Sequence, residues 1–432
     1  MGKVTLIFPN YALRETFGNP SDPPLGIASI ASVLEKQGYD VSIIDANAEN
    51  LKLSDIRSRL NRIKPNIVAI SCNYSPLHNP TLTIAAMVKN EFNVQVVVGG
   101  NHATALDEYM INIGNDIDYI TRGEGETVLP DLLSALQEQK DLASVKGLTY
   151  KKTGAIISNE DAHLINDLDT IPLPAYHLLK MNLYNRYNII TGRGCPYNCS
   201  YCASNVIFGR KVRYRSPKIV MDEIEYLLHN YGNKRFWFSD DTFTANKQYV
   251  HTLLDEIISR NVQIEWSCMT RVNSVSKDLL YRMKGAGCSY ISYGIESGNP
   301  RMLRQMNKRI SIDDIEKALI LTKESGIDTY LFFLVGNIGE NWDSIKDSYR
   351  LIRKTKPTGA SFAIVIPLPG TRMFDDLIDK KLISIDTIEW DHLFAKIPGG
   401  NYEDYAASLA SQWCDLTHDE LIKACKIGGA LA

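Results

Sequence analysis

Short apolar runs alternate along the chain with longer amphipathic stretches in which apolar residues recur at helical spacing. In the first part, the runs at 3–9, 39–46, 66–72, 94–100 and 116–126 read as strands, and 25–38, 53–64, 82–92, 102–114 and 127–137 as helices. Such runs between amphipathic helices predict a parallel sheet with helices on both faces, a doubly wound Rossmann-like α/β domain over 1–140. Ligands on these sheets sit beyond the carboxyl ends of the strands. Here those ends are Pro9-Asn10, Asp45, Ser71 to Tyr74, Gly99-Gly100 and Arg122 to Glu126. Residues 141–185 read as a connector, with a hairpin at 145–159 and a proline-bearing link at 167–179.

The rhythm then repeats. Strands are predicted near 187–192, 234–239, 264–270, 288–295, 328–335 and 360–367, with helices near 217–231, 246–260, 276–286, 311–325, 342–355 and 372–382. Six parallel units are too few for a full eight-unit barrel, so a partial (β/α)6 barrel is expected over 186–385, with its chemistry at the carboxyl ends of the strands. A short helical C-terminal tail, 386–432, carries Trp390 and Trp413 and either lids the substrate side or covers the open barrel edge.

Composition narrows the class. At 432 residues with 44% hydrophobic and 22% charged positions, the chain reads as a multidomain globular protein. A net charge of −3 and the lack of any basic block argue against a nucleic-acid partner. No apolar stretch approaches the roughly 20 residues that span a bilayer, and the start is wrongly built for a signal peptide. Eight cysteines in so long a chain do not make a disulfide framework. Their clustering reads as metal binding in a reducing compartment, hence a cytoplasmic location.

The cluster is "TGRGCPYNCSYCAS", which places Cys195, Cys199 and Cys202 just after the first barrel strand. A structural zinc site wants four ligands, and here the fourth is missing locally; a catalytic zinc with an open position stays an alternative. Three thiolates on one loop suit an iron–sulfur cluster, leaving one iron of a 4Fe-4S cluster open to a ligand. Cys268, Cys288, Cys414 and Cys425 are scattered and read as buried small hydrophobes.

The C-x3-C-x2-C spacing, Tyr201 before the last cysteine and the partial barrel resemble the radical S-adenosylmethionine superfamily over about 186–385. The resemblance implies that the open iron chelates S-adenosylmethionine, whose one-electron cleavage gives a 5′-deoxyadenosyl radical. It carries residues over at successive strand ends. Asp240 or Asp241 in "FWFSDDTF" would meet the methionine amino group, and Arg271 in "CMTRVN" the methionine carboxylate. Glu296 in "YGIESG" would face the ribose or the amino group. Gly336 in "LVGNIGEN" would contact adenine, with Pro367 in "VIPLPGT" packing beside it. Each also has a bland reading, as a helix cap, half of an ion pair or a tight turn.

The first domain lacks the G-x-G-x-x-G of a dinucleotide site and, with Cys72 alone, a second cluster set. "PPLGIASIASVLEKQGYDVSIIDA", "VVVGGNHAT" and "ITRGEGE" resemble the cobalamin-binding domains of the class B branch. The cobalt-ligating D-x-H-x-x-G motif is absent, which implies cobalamin with its lower base displaced and no histidine from that loop. Asn73, Ser75 and Leu77 are expected near the lower face, and Gly99 and Gly100 beside the nucleotide tail. His78 and His102 are candidate ligands or plain loop and helix-start residues; Glu124 and Glu126 face the ligand or favour the next helix N-terminus.

The cofactors implied are a 4Fe-4S cluster, S-adenosylmethionine and cobalamin. The function implied is a methyltransferase acting on an unactivated carbon, with a second S-adenosylmethionine recharging the cobalamin. A ring-forming, ring-contracting or rearranging enzyme with the same cofactors is the alternative, and a non-catalytic cobalamin or iron–sulfur carrier the reading from another class. Partners are a small-molecule or natural-product substrate and an external electron donor such as flavodoxin or ferredoxin.

Overall fold

The computed structural model describes residues 2–10, 22–393 and 402–431. The chain divides into two compact units, Met1–Asn185 with Val206–Gly209, and Arg186–Asn205 with Arg210–Ala432. Among the described residues no helix is long and apolar enough to cross a membrane.

In the first unit, strands β1 (Lys3–Phe8), β2 (Asp40–Asp45), β3 (Ile67–Ser71), β4 (Gln95–Gly99) and β5 (Tyr119–Thr121) are parallel. The hairpin β6 (Leu148–Lys152) and β7 (Ala155–Ser158) adds two antiparallel strands, giving the order β2-β1-β3-β4-β5-β6-β7. The hairpin expected in the connector therefore belongs to this sheet. Its first strand completes the hydrogen bonding of β5, whose three residues would otherwise form a bare edge. Strand order reverses between β1 and β3, so right-handed crossovers send helices to opposite faces and open a crevice at that switch point.

Two helices differ from the sequence pattern. The one expected from 82 begins at His78, because Pro80 lies in the first turn, where its missing N–H breaks no helical bond. The one expected over 102–114 is two helices, Asn101–Ala105 and Asp107–Ile113, broken at Leu106 (φ −130°) without any glycine or proline to signal it.

In the second unit, β8 (Tyr187–Ile189), β11 (Arg235–Phe238), β12 (Glu265–Thr270), β13 (Cys288–Glu296), β14 (Asp328–Val335) and β15 (Gly359–Ile364) form one parallel sheet in sequence order. A small antiparallel ribbon pairs β9 (Gly192–Arg193) with β10 (Arg213–Tyr214). Consecutive order with helical crossovers of one hand curls the sheet into a six-stranded partial barrel. Phe238, Phe243 and Trp266 pack in its core with ring centroids 4.9–5.4 Å apart.

The tail holds two helices, Tyr402–Ala410 and His418–Gly429. The second packs on β15, the edge strand, so the tail covers the open barrel edge. A Cβ on Gly428 would overlap the Phe362 ring, which is itself stacked on Phe333 at 4.6 Å. Overpacking a site that cannot yield costs about 1–3 kcal/mol. Gly428→Val is therefore expected to lower the thermal unfolding midpoint by several degrees, and an unchanged midpoint would contradict this packing. Cys268, Cys288 and Cys425 are buried as expected, whereas Cys414 is only half-buried.

Candidate functional site

The cysteine loop leaves β9 at Gly194, whose φ of +101° turns the chain back across the strand ends. Main-chain bonds clamp it on both sides: Ser200 N–H donates to the Met306 carbonyl at 3.0 Å, and Met373 N–H to the Ser200 carbonyl at 2.8 Å. Asn307 Nδ2 also donates to the Asn198 carbonyl at 2.6 Å. Each thiol has a polar neighbour. Cys195 Sγ lies 3.6 Å from Thr242 Oγ1, Cys202 Sγ 3.1 Å from Ser204 Oγ, and Cys199 Sγ 3.4 Å from Arg271 Nη1. Burial raises the Cys195 and Cys202 thiols, as do the charges of Cys199 and Asp241. All three cysteines are free. Three free cysteines on one loop make a donor set of the kind that iron–sulfur clusters take as thiolates.

The two aspartates divide. Asp240 accepts from Thr191 Oγ1 at 2.7 Å and from the backbone N–H groups of Gly192 at 2.6 Å and Thr191 at 3.3 Å. It thereby anchors the strand that leads into the cysteines; burial pushes its carboxyl up to about 7 against those bonds. Asp241, raised by burial, bonds to Ser204 and acts electrostatically on Cys195 and Cys202. Neither caps the following helix, which Asn246 caps instead.

Glu296 ends β13 in a left-handed conformation (φ +69°), beside an irregularity of register. Its Oε1 accepts from Lys308 Nζ at 2.8 Å and from Tyr201 Oη at 2.9 Å. A Cβ at Gly294 would lie 2.6 Å from that oxygen, so glycine there lets the carboxylate and Lys308 settle against the strand. The Tyr201 phenol is raised well above its ordinary value, by burial and then by the Glu296 charge, and stays a donor. Lys308 had no sequence signal: it lies in a loop, and only the fold brings it to the cysteines. Arg271, 5% exposed, lies over the Tyr197 ring at 3.8 Å and also donates to the Lys308 carbonyl. Its Nε is buried with no partner among the described residues.

Two bonded sets thus meet on the cysteine loop: Thr242 and Ser204 tie Cys195 and Cys202 to Asp241, while Arg271 and Lys308 tie Cys199 to Glu296. Gly336 has other neighbours. A Cβ there would lie 2.9 Å from Ala410, its carbonyl accepts from Trp413 Nε1 at 2.8 Å, and its N–H donates to Glu340. Pro367 is buried in the loop before the helix Arg372–Asp379, whose Met373 bonds the cysteine loop.

The rim of the first unit is closely packed around its glycines. Space for a side chain at Gly100 is filled by Asn73, and at Gly99 by Thr121 Oγ1 at 2.6 Å, so these glycines serve close packing of the rim. Ser75 and Leu77 turn inward, while Tyr74 stands exposed. His102 Nε2 and His78 Nδ1 are 2.9 Å apart, and His102 Nδ1 lies 3.2 Å from Ser75 Oγ. Burial pushes His78 down to about 4 and His102 to about 3, so both rings are neutral and engaged. Glu124 accepts from Ile165 N–H at 2.7 Å, and Glu126 from Ser29 Oγ at 2.7 Å. Gly123 is open, with φ +83° and none of the described residues within 4 Å of a would-be Cβ. It stands inside the quoted "RGEGE", where its positive φ was not legible.

The family model for the Radical SAM superfamily matches residues 189–352, and that for the B12 binding domain residues 20–133. A protein of Pyrococcus horikoshii named as an uncharacterized methyltransferase is 34% identical, over 90% of this chain and 85% of its own. An anaerobic magnesium-protoporphyrin IX monomethyl ester cyclase of Rubrivivax gelatinosus is 30% identical, over 88% of this chain and 70% of its own. The structure of the radical S-adenosylmethionine methyltransferase TsrM from Kitasatospora setae, with cobalamin and a 4Fe-4S cluster bound, superposes with a TM-score of 0.77. That match covers 96% of this chain and 85% of TsrM at 18% identity, a likeness of fold.

Proposed function

The chain belongs to the cobalamin-binding radical S-adenosylmethionine family, and from that premise we propose a methyltransferase that places a methyl group on an unactivated carbon of a small molecule. The observation that carries the reading is the network around the thiols, which offers three cluster ligands and unspent polar capacity beside them. When bound, the cluster supplies the electron that cleaves S-adenosylmethionine, and cobalamin supplies a methyl carrier. Cys195, Cys199 and Cys202 hold the cluster, and Asp240 fixes the strand that presents them. Glu296 and Asp241 face the amino end of S-adenosylmethionine, and the spare Arg271 Nε faces its carboxylate. In the first unit, the loop at 73–77 and the open backbone at Gly123 bear on cobalamin. An external carrier such as flavodoxin or ferredoxin delivers the electron.

The test needs no knowledge of the substrate. The anaerobically reconstituted protein, given reductant, cobalamin and methyl-labelled S-adenosylmethionine, is expected to form 5′-deoxyadenosine and to leave label in the corrinoid fraction. Absence of 5′-deoxyadenosine would defeat the radical reading. 5′-Deoxyadenosine without label in the corrinoid would favour the second reading, an oxidative cyclase, which the 30% identity to the Rubrivivax gelatinosus cyclase supports.

The engaged pair His78–His102, together with a β1–helix loop that contains no histidine, leads to a spectroscopic expectation. Cobalamin should bind with no imidazole on cobalt. Electron paramagnetic resonance of the cob(II)alamin form should lack axial nitrogen splitting; a clear nitrogen triplet would refute the assignment.

A further inference from the structure

We propose that Arg271 is a positioning residue that raises the reduction potential of the cluster, through a charge-assisted hydrogen bond to the Cys199 sulfur. This rests on the cluster assignment above. Nη1 lies 3.4 Å from Cys199 Sγ, an ordinary distance for nitrogen to sulfur. Three contacts fix the guanidinium plane: that bond, the Lys308 carbonyl on the other terminal nitrogen, and the Tyr197 ring at 3.8 Å. The side chain is 5% exposed, so water does little to screen its charge.

The charge is also permanent and unspent. Arginine does not deprotonate in proteins, and no carboxylate of the described residues pairs with Arg271. Lys308, a second buried cation beside the loop, is neutralised by Glu296 at 2.8 Å. Reduction adds negative charge to a group already made negative by three thiolates. A fixed cation bonded to one of those sulfurs stabilises the reduced form more than the oxidised one. Hydrogen bonds to cluster sulfurs and local charge are recognised determinants of iron–sulfur potentials. Lysine cannot replace the residue fully, because it lacks the planar fork that bonds sulfur and carbonyl together while stacking on tyrosine.

The experiment uses the full-length, anaerobically reconstituted protein without S-adenosylmethionine, titrated electrochemically and followed by the paramagnetic signal of the reduced cluster. Arg271→Gln is expected to shift the midpoint to more negative potential, with the reduced-to-oxidised ratio at a fixed potential falling about tenfold, the scale of one charged hydrogen bond. Arg271→Lys should fall between that variant and wild type. Wild-type protein carrying guanidinium-15N arginine should show a nitrogen-15 coupling to the reduced cluster in pulsed measurements. An unchanged midpoint in Arg271→Gln with undiminished iron overturns the proposal. So does the absence of arginine coupling in the wild type, which decides the matter if the variant loses its cluster. Failure of the wild type to assemble any cluster would instead count against the cluster assignment itself.

Discussion

Alanine at any one of Cys195, Cys199 and Cys202 is expected to lower 5′-deoxyadenosine formation by more than about 100-fold, beyond the loss usual when only a supporting partner of a metal ligand is removed. The three thiols lie in one loop clamped at Ser200 and Asn198, so no neighbouring cysteine can slide in to replace a lost one. The remaining cysteines are poor substitutes. Cys268 and Cys288 are fully buried on strands, and burial pushes the Cys268 thiol well above its ordinary value. Iron content and visible absorption after anaerobic reconstitution check the claim directly. Cys414→Ala, which removes a half-buried thiol of the tail, should keep the full iron content. Undiminished iron in the triple variant Cys195→Ala/Cys199→Ala/Cys202→Ala would remove the cluster from this loop altogether.

What the sequence made legible follows from range. Strands β11 to β15 and the helices between them announce themselves by local periodicity, and β14 shows it plainly, with every second residue of Asp328–Val335 turned inward. The cysteine triad is equally local. Features that depend on distant partners were hidden. Lys308 follows Glu296 by twelve positions in no recognisable pattern, yet its ammonium meets that carboxylate and the Tyr201 phenol. Nothing in "SDD" says that Asp240 turns to the backbone of 191–192 while Asp241 turns to Ser204. Gly99 and Gly100 suggest close approach, and within the fold their missing side chains make room for Thr121 and Asn73. A glycine in sequence says that something comes close; only the fold says what.

Glu296→Gln should abolish S-adenosylmethionine binding and also destabilise the protein, and the two effects can be pulled apart. The carboxylate and Lys308 form a buried ion pair at 2.8 Å, with side chains 9% and 6% exposed. Neutralising one partner leaves the other charge buried without compensation, at a cost of about 3–5 kcal/mol. The left-handed backbone at Glu296 adds strain of roughly 1–2 kcal/mol that glycine would not bear. A residue kept in such a conformation points to a function its side chain performs. Adding Lys308→Met removes the stranded ammonium, and replacing a buried pair by apolar groups is close to neutral. The double variant Glu296→Gln/Lys308→Met should thus regain most of the stability lost in the single one. It should not regain S-adenosylmethionine binding or cleavage, because the carboxylate charge is still gone and an amide takes its place. Both variants should assemble the cluster, since their side chains touch Tyr201 and not the thiols. Equilibrium binding of S-adenosylmethionine to the reconstituted proteins, measured beside denaturant unfolding, separates the two effects. Wild-type affinity in the double variant would reduce Glu296 to a structural partner of Lys308 and move the S-adenosylmethionine contact to another strand end.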